Sequence, residues 1–171
     1  MNKITTLLLL AFAICSCKIS SSFQPGTTSN ITANTILIPL AENQSAQGPT
    51  SLAIDLSEKV RNYYQTNSKL TVNSSKASDL ELYITVSDFF ARQVQNTAEV
   101  GGTATQMELI VTIKVRYVDN DNASNTIENK SFSQKLLYDA DLTLEQAQLK
   151  ILPDILDLLT QDIFNSTLAR W

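Results

Sequence analysis

The chain has 171 residues, with 13 Lys+Arg against 17 Asp+Glu and 43% hydrophobic residues, enough for one good core and too little for two. Its mild acidity argues against nucleic acid as a partner, because such binders gain affinity by clustering Lys and Arg against phosphates. Histidine, the commonest general base and a frequent metal ligand, is missing altogether, which argues against hydrolytic and zinc chemistry.

Residues 1–16 read as a lipoprotein signal peptide. Asn2-Lys3 is a short charged start, and Thr5 to Ile14 is an apolar run led by Leu7-Leu8-Leu9-Leu10. A run of about ten residues has the length of a signal-peptide apolar region, and a spanning helix needs roughly twenty. It ends at Ile14-Cys15-Ser16-Cys17, where an aliphatic residue three before Cys17 and a small one just before it match a bacterial lipobox. Cys15 does not fit, because bulky Ile14 would occupy its cleavage position. The C-x-C spacing is not that of a C-x-x-C redox pair, and no other Cys or His completes a metal site. The mature chain is therefore expected to start at Cys17, carrying acyl chains that anchor it at about 0.8 kcal/mol per buried methylene. Residues 17–33 form the lipidated N-terminus and a flexible tether, since Lys18 to Ser29 is polar and rich in Ser, Gly and Pro. Lys18, where Asp would signal retention at the inner membrane, favours the outer membrane.

Residues 34–171 read as a single α+β domain. Thr35 to Leu40 is a short apolar strand in which Pro39 marks an edge or an end. From Pro49 to Gln65, Leu52, Leu56, Val60, Tyr63 and Tyr64 recur at helical spacing between polar residues, an amphipathic helix with proline near its first turn. Lys69 to Val72 is another short strand. Strict alternation follows twice: Leu80, Leu82, Ile84 and Val86, continuing toward Phe90, and then Met107 to Tyr117. Period two over that length predicts strands with one buried and one wetter face, joined through Gly101-Gly102. Asp119-Asn120-Asp121-Asn122 turns the chain into a further strand, Thr126 to Tyr138. Thr143-Leu144-Glu145-Gln146 has the pattern of a capping box, opening a helix with an apolar stripe from Leu144 to Ile163. Pro153 inside that stripe predicts a kink or restart. The sum is a two-layer sandwich: a mixed or antiparallel sheet of about four strands packed against two helices.

Few residues suggest chemistry. Asp119 and Asp121 do not start a calcium loop, because that register needs Gly at Ser124 and Glu at Lys130. Asp139 and Asp141 suit a helix start, where carboxylates complement the dipole, better than a catalytic pair. The Asn-x-Ser/Thr triplets at Asn30, Asn43, Asn73, Asn122, Asn129 and Asn165 follow from a composition rich in those residues. No catalytic residue and no cofactor is expected. The sharper candidates are Arg92, Lys114 and Arg116. Lys114 and Arg116 are two apart and so share the non-core face of a strand, and a hairpin at Gly101-Gly102 would bring Arg92 toward them. Basic groups on a sheet suit lipid phosphates, and the competing reading is a solvated face with Glu81 and Glu108 as partners.

From Cys17 to Trp171 the chain resembles the LptE family of lipopolysaccharide-assembly lipoproteins, in its Bacteroidetes form. The resemblance runs through Thr35-Ile36-Leu37-Ile38, Glu42-Asn43 and Pro49-Thr50-x-Leu52, then Asn67 to Val72, Asp79-Leu80 and Val86-Ser87-Asp88-Phe89. It continues through Tyr138-Asp139-Ala140 to the terminal Asp162-Ile163-Phe164-Asn165 and Ala169-Arg170-Trp171. It departs at Ile84, where glycine is expected, at a missing proline after Phe89, and at Pro153. The resemblance implies a non-enzymatic outer-membrane lipoprotein on the periplasmic side. It would plug the β-barrel translocon LptD, assist its assembly, and contact lipopolysaccharide, with Arg92, Lys114 and Arg116 as the contacts selected from the strand pattern. A pilotin-like or adaptor lipoprotein of another envelope complex is the alternative, separated by which partner co-purifies.

Overall fold

The computed structural model describes residues 32–74, 77–96 and 104–168. The signal peptide, Cys17, most of the tether, Gly101-Gly102 and Trp171 lie outside the described residues. Strands β1 (Thr35–Leu37) and β2 (Glu42–Asn43) precede helix α1 (Leu52–Asn67). Strands β3 (Thr71–Asn73), β4 (Leu80–Asn96), β5 (Ala104–Asp119) and β6 (Ile127–Asp139) follow, and helix α2 (Leu144–Thr167) ends the described chain. They make one sheet of six strands in the order β3-β1-β4-β5-β6, with β2 also on β4. The α+β class stands as expected, with more strands than the four anticipated.

The separation of β2 from β1 has a physical origin at Pro39. β1 and β2 both run parallel to β4, at Leu80–Glu81 and at Thr85–Val86. Between them the proline offers no N–H, so the ladder lapses. Side chains of α1 satisfy the freed backbone groups instead. The Ser57 hydroxyl accepts from the Ala41 N–H at 2.8 Å, and the Arg61 guanidinium donates to the Ile38 carbonyl at 2.9 Å. The start of β1 is fixed by Asp79, whose carboxylate accepts from the N–H groups of Asn34 and Thr35 at 2.8 and 3.0 Å. Those two backbone donors, Asn34 first, hold its carboxyl below the usual aspartate range.

β4, β5 and β6 form an antiparallel meander whose alternation decides which side is core. Leu80, Leu82, Ile84 and Val86 of β4 and Leu109, Val111, Ile113, Val115 and Tyr117 of β5 point inward and are buried. A bulge between Val86 and Asp88 admits one extra residue, so the inward positions shift to Phe89 and Ala91 and the face is conserved. Both helices pack on this side. α1 contributes Leu52, Leu56, Val60 and Tyr64, and α2 contributes Ile151, Ile155, Leu159 and Ile163, each burial contributing about 1.5–3 kcal/mol. The Tyr64 hydroxyl meets Thr167, and Phe164 stands edge-on to Tyr63 and Tyr64, tying the helices together at their C-terminal ends.

α2 begins as its sequence predicts. Thr143 Oγ1 accepts from the Gln146 N–H, and the Gln146 side chain accepts from the Thr143 N–H. Pro153 does not restart it: Leu144–Thr167 is one helix of 24 residues. The proline is exposed, so the Leu149 carbonyl that loses its partner faces water, which can hydrogen-bond it. Leu158, grouped with the apolar stripe on spacing, instead lies partly exposed.

Candidate functional site

With both helices on one side, the described residues leave the opposite face of the meander uncovered. On β4 that face carries Glu81, Tyr83, Thr85, Phe90 and Arg92. On β5 it carries Glu108, Ile110, Thr112, Lys114 and Arg116, and on β6 Ser131, Ser133, Lys135 and Leu137. The three basic candidates all project from it, Lys114 and Arg116 as alternation predicts and Arg92 only because the bulge between Val86 and Asp88 reverses the parity of β4. They do not cluster. Counted outward from the hairpin, Arg92 pairs with Glu108 whereas Lys114 pairs with Thr85. Six residues of β5 separate the two positions, about 20 Å. The bare face therefore has two centres.

The first centre surrounds Glu108. Arg92 Nη2 and Nε lie 2.7 and 2.8 Å from one carboxylate oxygen, and Lys135 Nζ lies 3.2 Å from the other. The Glu108 side chain is only 7% exposed because these two cations and their neighbours cover it. The hydrogen bond from Arg92 is the largest influence and, with Lys135, holds this carboxyl below the usual glutamate range against its own desolvation. Around the triad stand Phe90 and Leu137, 39% and 48% exposed, and Ile110. Two cations over one carboxylate leave an excess positive charge inside an apolar rim. Lys135 was not among the sequence candidates. It came into reach only through the pairing of Ile110 with Lys135, which alternation alone does not specify.

The second centre lies toward the other end of the meander. The Arg116 guanidinium sits 4.4 Å from the centroid of the Tyr83 ring, a cation–π contact. The Tyr83 hydroxyl donates to Glu81 at 2.6 Å, and that bond is the main reason its phenol titrates above the ordinary tyrosine value. Lys114 makes no ion pair among the described residues. Both cations line a polar cavity of about 390 Å³ with Tyr83, Thr85 and Glu42.

A larger groove, about 550 Å³, runs between α1 and α2 on the far side of the molecule. Leu152 and Leu156 form its floor, Asp55, Glu58 and Glu145 its rim, and Leu149, 85% exposed, its lip. Lys59 and Asp157 bridge the two helices across it. Among the described residues there is no group of three or more Cys, Asp or Glu placed to hold a metal ion. No helix there is long and apolar enough to cross a membrane.

Solved structures with the same fold include a minor lipoprotein from Acinetobacter baumannii, at 17% identity and a TM-score of 0.50, covering 81% of this chain and 92% of that one. A neuraminyllactose-binding hemagglutinin homolog from Helicobacter pylori is similar at 9% identity and a TM-score of 0.56, with 81% and 84% covered. A protein from Xanthomonas campestris is similar at 12% identity and a TM-score of 0.52, with 81% and 85% covered. At such identities the likeness is one of fold. A search of curated proteins found no match. The family model described as LptE, lipopolysaccharide-assembly, matches residues 33–167, nearly all of the folded part. The chain belongs to the LptE family.

Proposed function

We propose that this protein is an outer-membrane lipoprotein, anchored through acylated Cys17, that plugs the barrel of LptD and assists its assembly. The observation that carries the reading is the family match over residues 33–167, whose description is lipopolysaccharide assembly. The uncovered sheet face gives that role a surface. Phe90 and Leu137 supply apolar contact for a partner, and Arg92, Lys114 and Arg116 supply positive charge toward lipopolysaccharide phosphates. Lys135 joins Arg92 in that capacity through their shared hold on Glu108. The role is one of binding and assembly and calls for no catalytic group.

Purification of the full-length, membrane-derived protein in mild detergent tests the reading. A large outer-membrane β-barrel is expected to co-purify, and depletion of the lipoprotein is expected to leave that barrel misassembled. Recovery without a barrel overturns the assignment. Cys17→Ala is expected to release uncleaved or mislocalised protein, with Cys15→Ala changing little. Mass spectrometry of the mature N-terminus checks both.

A further inference from the structure

The polar cavity at the second centre holds a carboxylate as well as cations. The register of β2, β4 and β5 sets Glu42, Thr85 and Lys114 in one row across the outer face. Neighbouring strands are about 4.8 Å apart, so the Glu42 and Lys114 backbones stand about 10 Å apart with opposite charges at the two ends of the row. Tyr83 and Arg116 form the adjacent row. The Arg116 guanidinium sits over the Tyr83 ring, and the Tyr83 hydroxyl is held by Glu81, so this guanidinium is positioned before any ligand arrives. Among the described residues the Glu42 carboxylate accepts one side-chain hydrogen bond, from the Gln44 amide to Oε2 at 3.3 Å, which leaves Oε1 for a ligand.

The strand beside this cavity departs from regular pairing. Register shifts between Val115 and Tyr117, and Asn129, which lines the cavity, has φ of 51°. Asn tolerates that left-handed conformation better than most residues, and bulges recur where a strand re-aims side chains at a site.

A positioned guanidinium, an ammonium with no ion pair among the described residues and a carboxylate facing them across one cavity match a ligand of mixed charge. Arg116 and Lys114 suit a phosphate, the first by its planar fork and the second as a mobile point charge. Glu42 would repel a bare phosphate and attract an ammonium. The geometry points to a binding site for a phosphate that carries a tethered ammonium, the chemistry of phosphoethanolamine. This inference rests on the reading of Lys114 and Arg116 as lipopolysaccharide contacts and specifies the group they recognise.

Backbone-amide NMR of the full chain in mild detergent, titrated separately with O-phosphoethanolamine, inorganic phosphate and ethanolamine, tests it. Phosphoethanolamine is expected to shift the amides of Thr85, Lys114 and Asn129 and to bind about tenfold more tightly than phosphate, the scale of one charge-assisted hydrogen bond. Glu42→Gln is expected to erase that preference while keeping phosphate binding, and Lys114→Gln to weaken both. Equal affinities, or a preference that survives Glu42→Gln, overturn the inference. Vesicles containing phosphatidylethanolamine, compared with phosphatidylglycerol, identify the source. Binding to the former assigns a lipid headgroup, binding confined to soluble phosphoethanolamine assigns a free metabolite, and either supports the shared chemistry. A co-purifying barrel without this preference overturns the inference alone. The preference without a barrel overturns the proposed function alone.

Discussion

At Glu108 a carboxylate is withdrawn from water on a face otherwise open to it, and the cost of that burial is met by Arg92 and Lys135. Their hydrogen bonds favour the ionised form, so the folded carboxyl titrates below its unfolded counterpart. The pair stabilises the fold above the unfolded-state glutamate range, and the contribution is lost as pH falls through the folded value. Thermal unfolding followed from neutral to acidic pH is expected to show a steeper loss for the native chain than for Glu108→Gln. Glu108→Gln should also unfold at a lower temperature near neutrality, and parallel pH profiles would show that the ion pairs contribute nothing. Tyr64 is buried between the two helices. Burial pushes its phenol far above the ordinary range, and its hydroxyl rests on Thr167. Thr167 can also donate to the Ile163 carbonyl, so Tyr64→Phe strands no buried donor and is expected to cost only about 1 kcal/mol in urea unfolding.

At the scale of elements, α2 concentrates two opposed effects. Its capping box satisfies donors at the first turn, and Thr143→Ala is expected to cost about 1 kcal/mol. Pro153 removes one interior hydrogen bond, and an interior proline costs about 3 kcal/mol in a helix. Because it is exposed on the solvent side, Pro153→Ala is expected to stabilise the protein by up to about that amount, read as a higher urea midpoint with unchanged slope. No gain would mean that the neighbouring carbonyl is already satisfied. The same helix shows what sequence conveys. The Thr143–Gln146 box and the stripe through Ile155 and Ile163 are local patterns, legible one turn at a time. Period two likewise revealed β5 with its inward face and β4 as far as the bulge after Val86, while β6 was placed by the Asp119–Asn122 turn before it. β2 was not legible, because two residues carry no periodicity and its pairing is made by β4, some forty positions later. The clamp on Glu108 was half legible. Glu108 stood among the expected acidic partners, but its hold by Arg92 and Lys135 depends on register, which comes from where two hairpins close. For the same reason Arg92, near one hairpin, could not reach Lys114.

The whole molecule has two unlike faces. α1 and α2 present Asp55, Glu58 and Glu145 beside Lys59 around the inter-helix groove, whereas the bare sheet presents Arg92, Lys114, Arg116 and Lys135 with Glu81 and Glu108, between Phe90 and Leu137. Under the proposed function the second face is the one that would serve, its cations toward the phosphates of an acidic glycolipid and its exposed apolar residues toward a barrel wall. The two faces are separable by substitution, since both expose large apolar side chains. Phe90→Ser with Leu137→Ser removes the apolar rim of the sheet face, and Leu149→Ser removes the exposed lip of the helix groove. Leu149 is 85% exposed, so its substitution changes stability by about 0.5 kcal/mol or less, whereas Phe90 and Leu137 are half-covered and their joint loss costs about 1–3 kcal/mol, so co-purification is compared well below both unfolding midpoints. The sheet variant is expected to lose most of the co-purifying barrel while the helix variant retains it. The opposite outcome would move the interface to the helices and leave the sheet face to lipid alone.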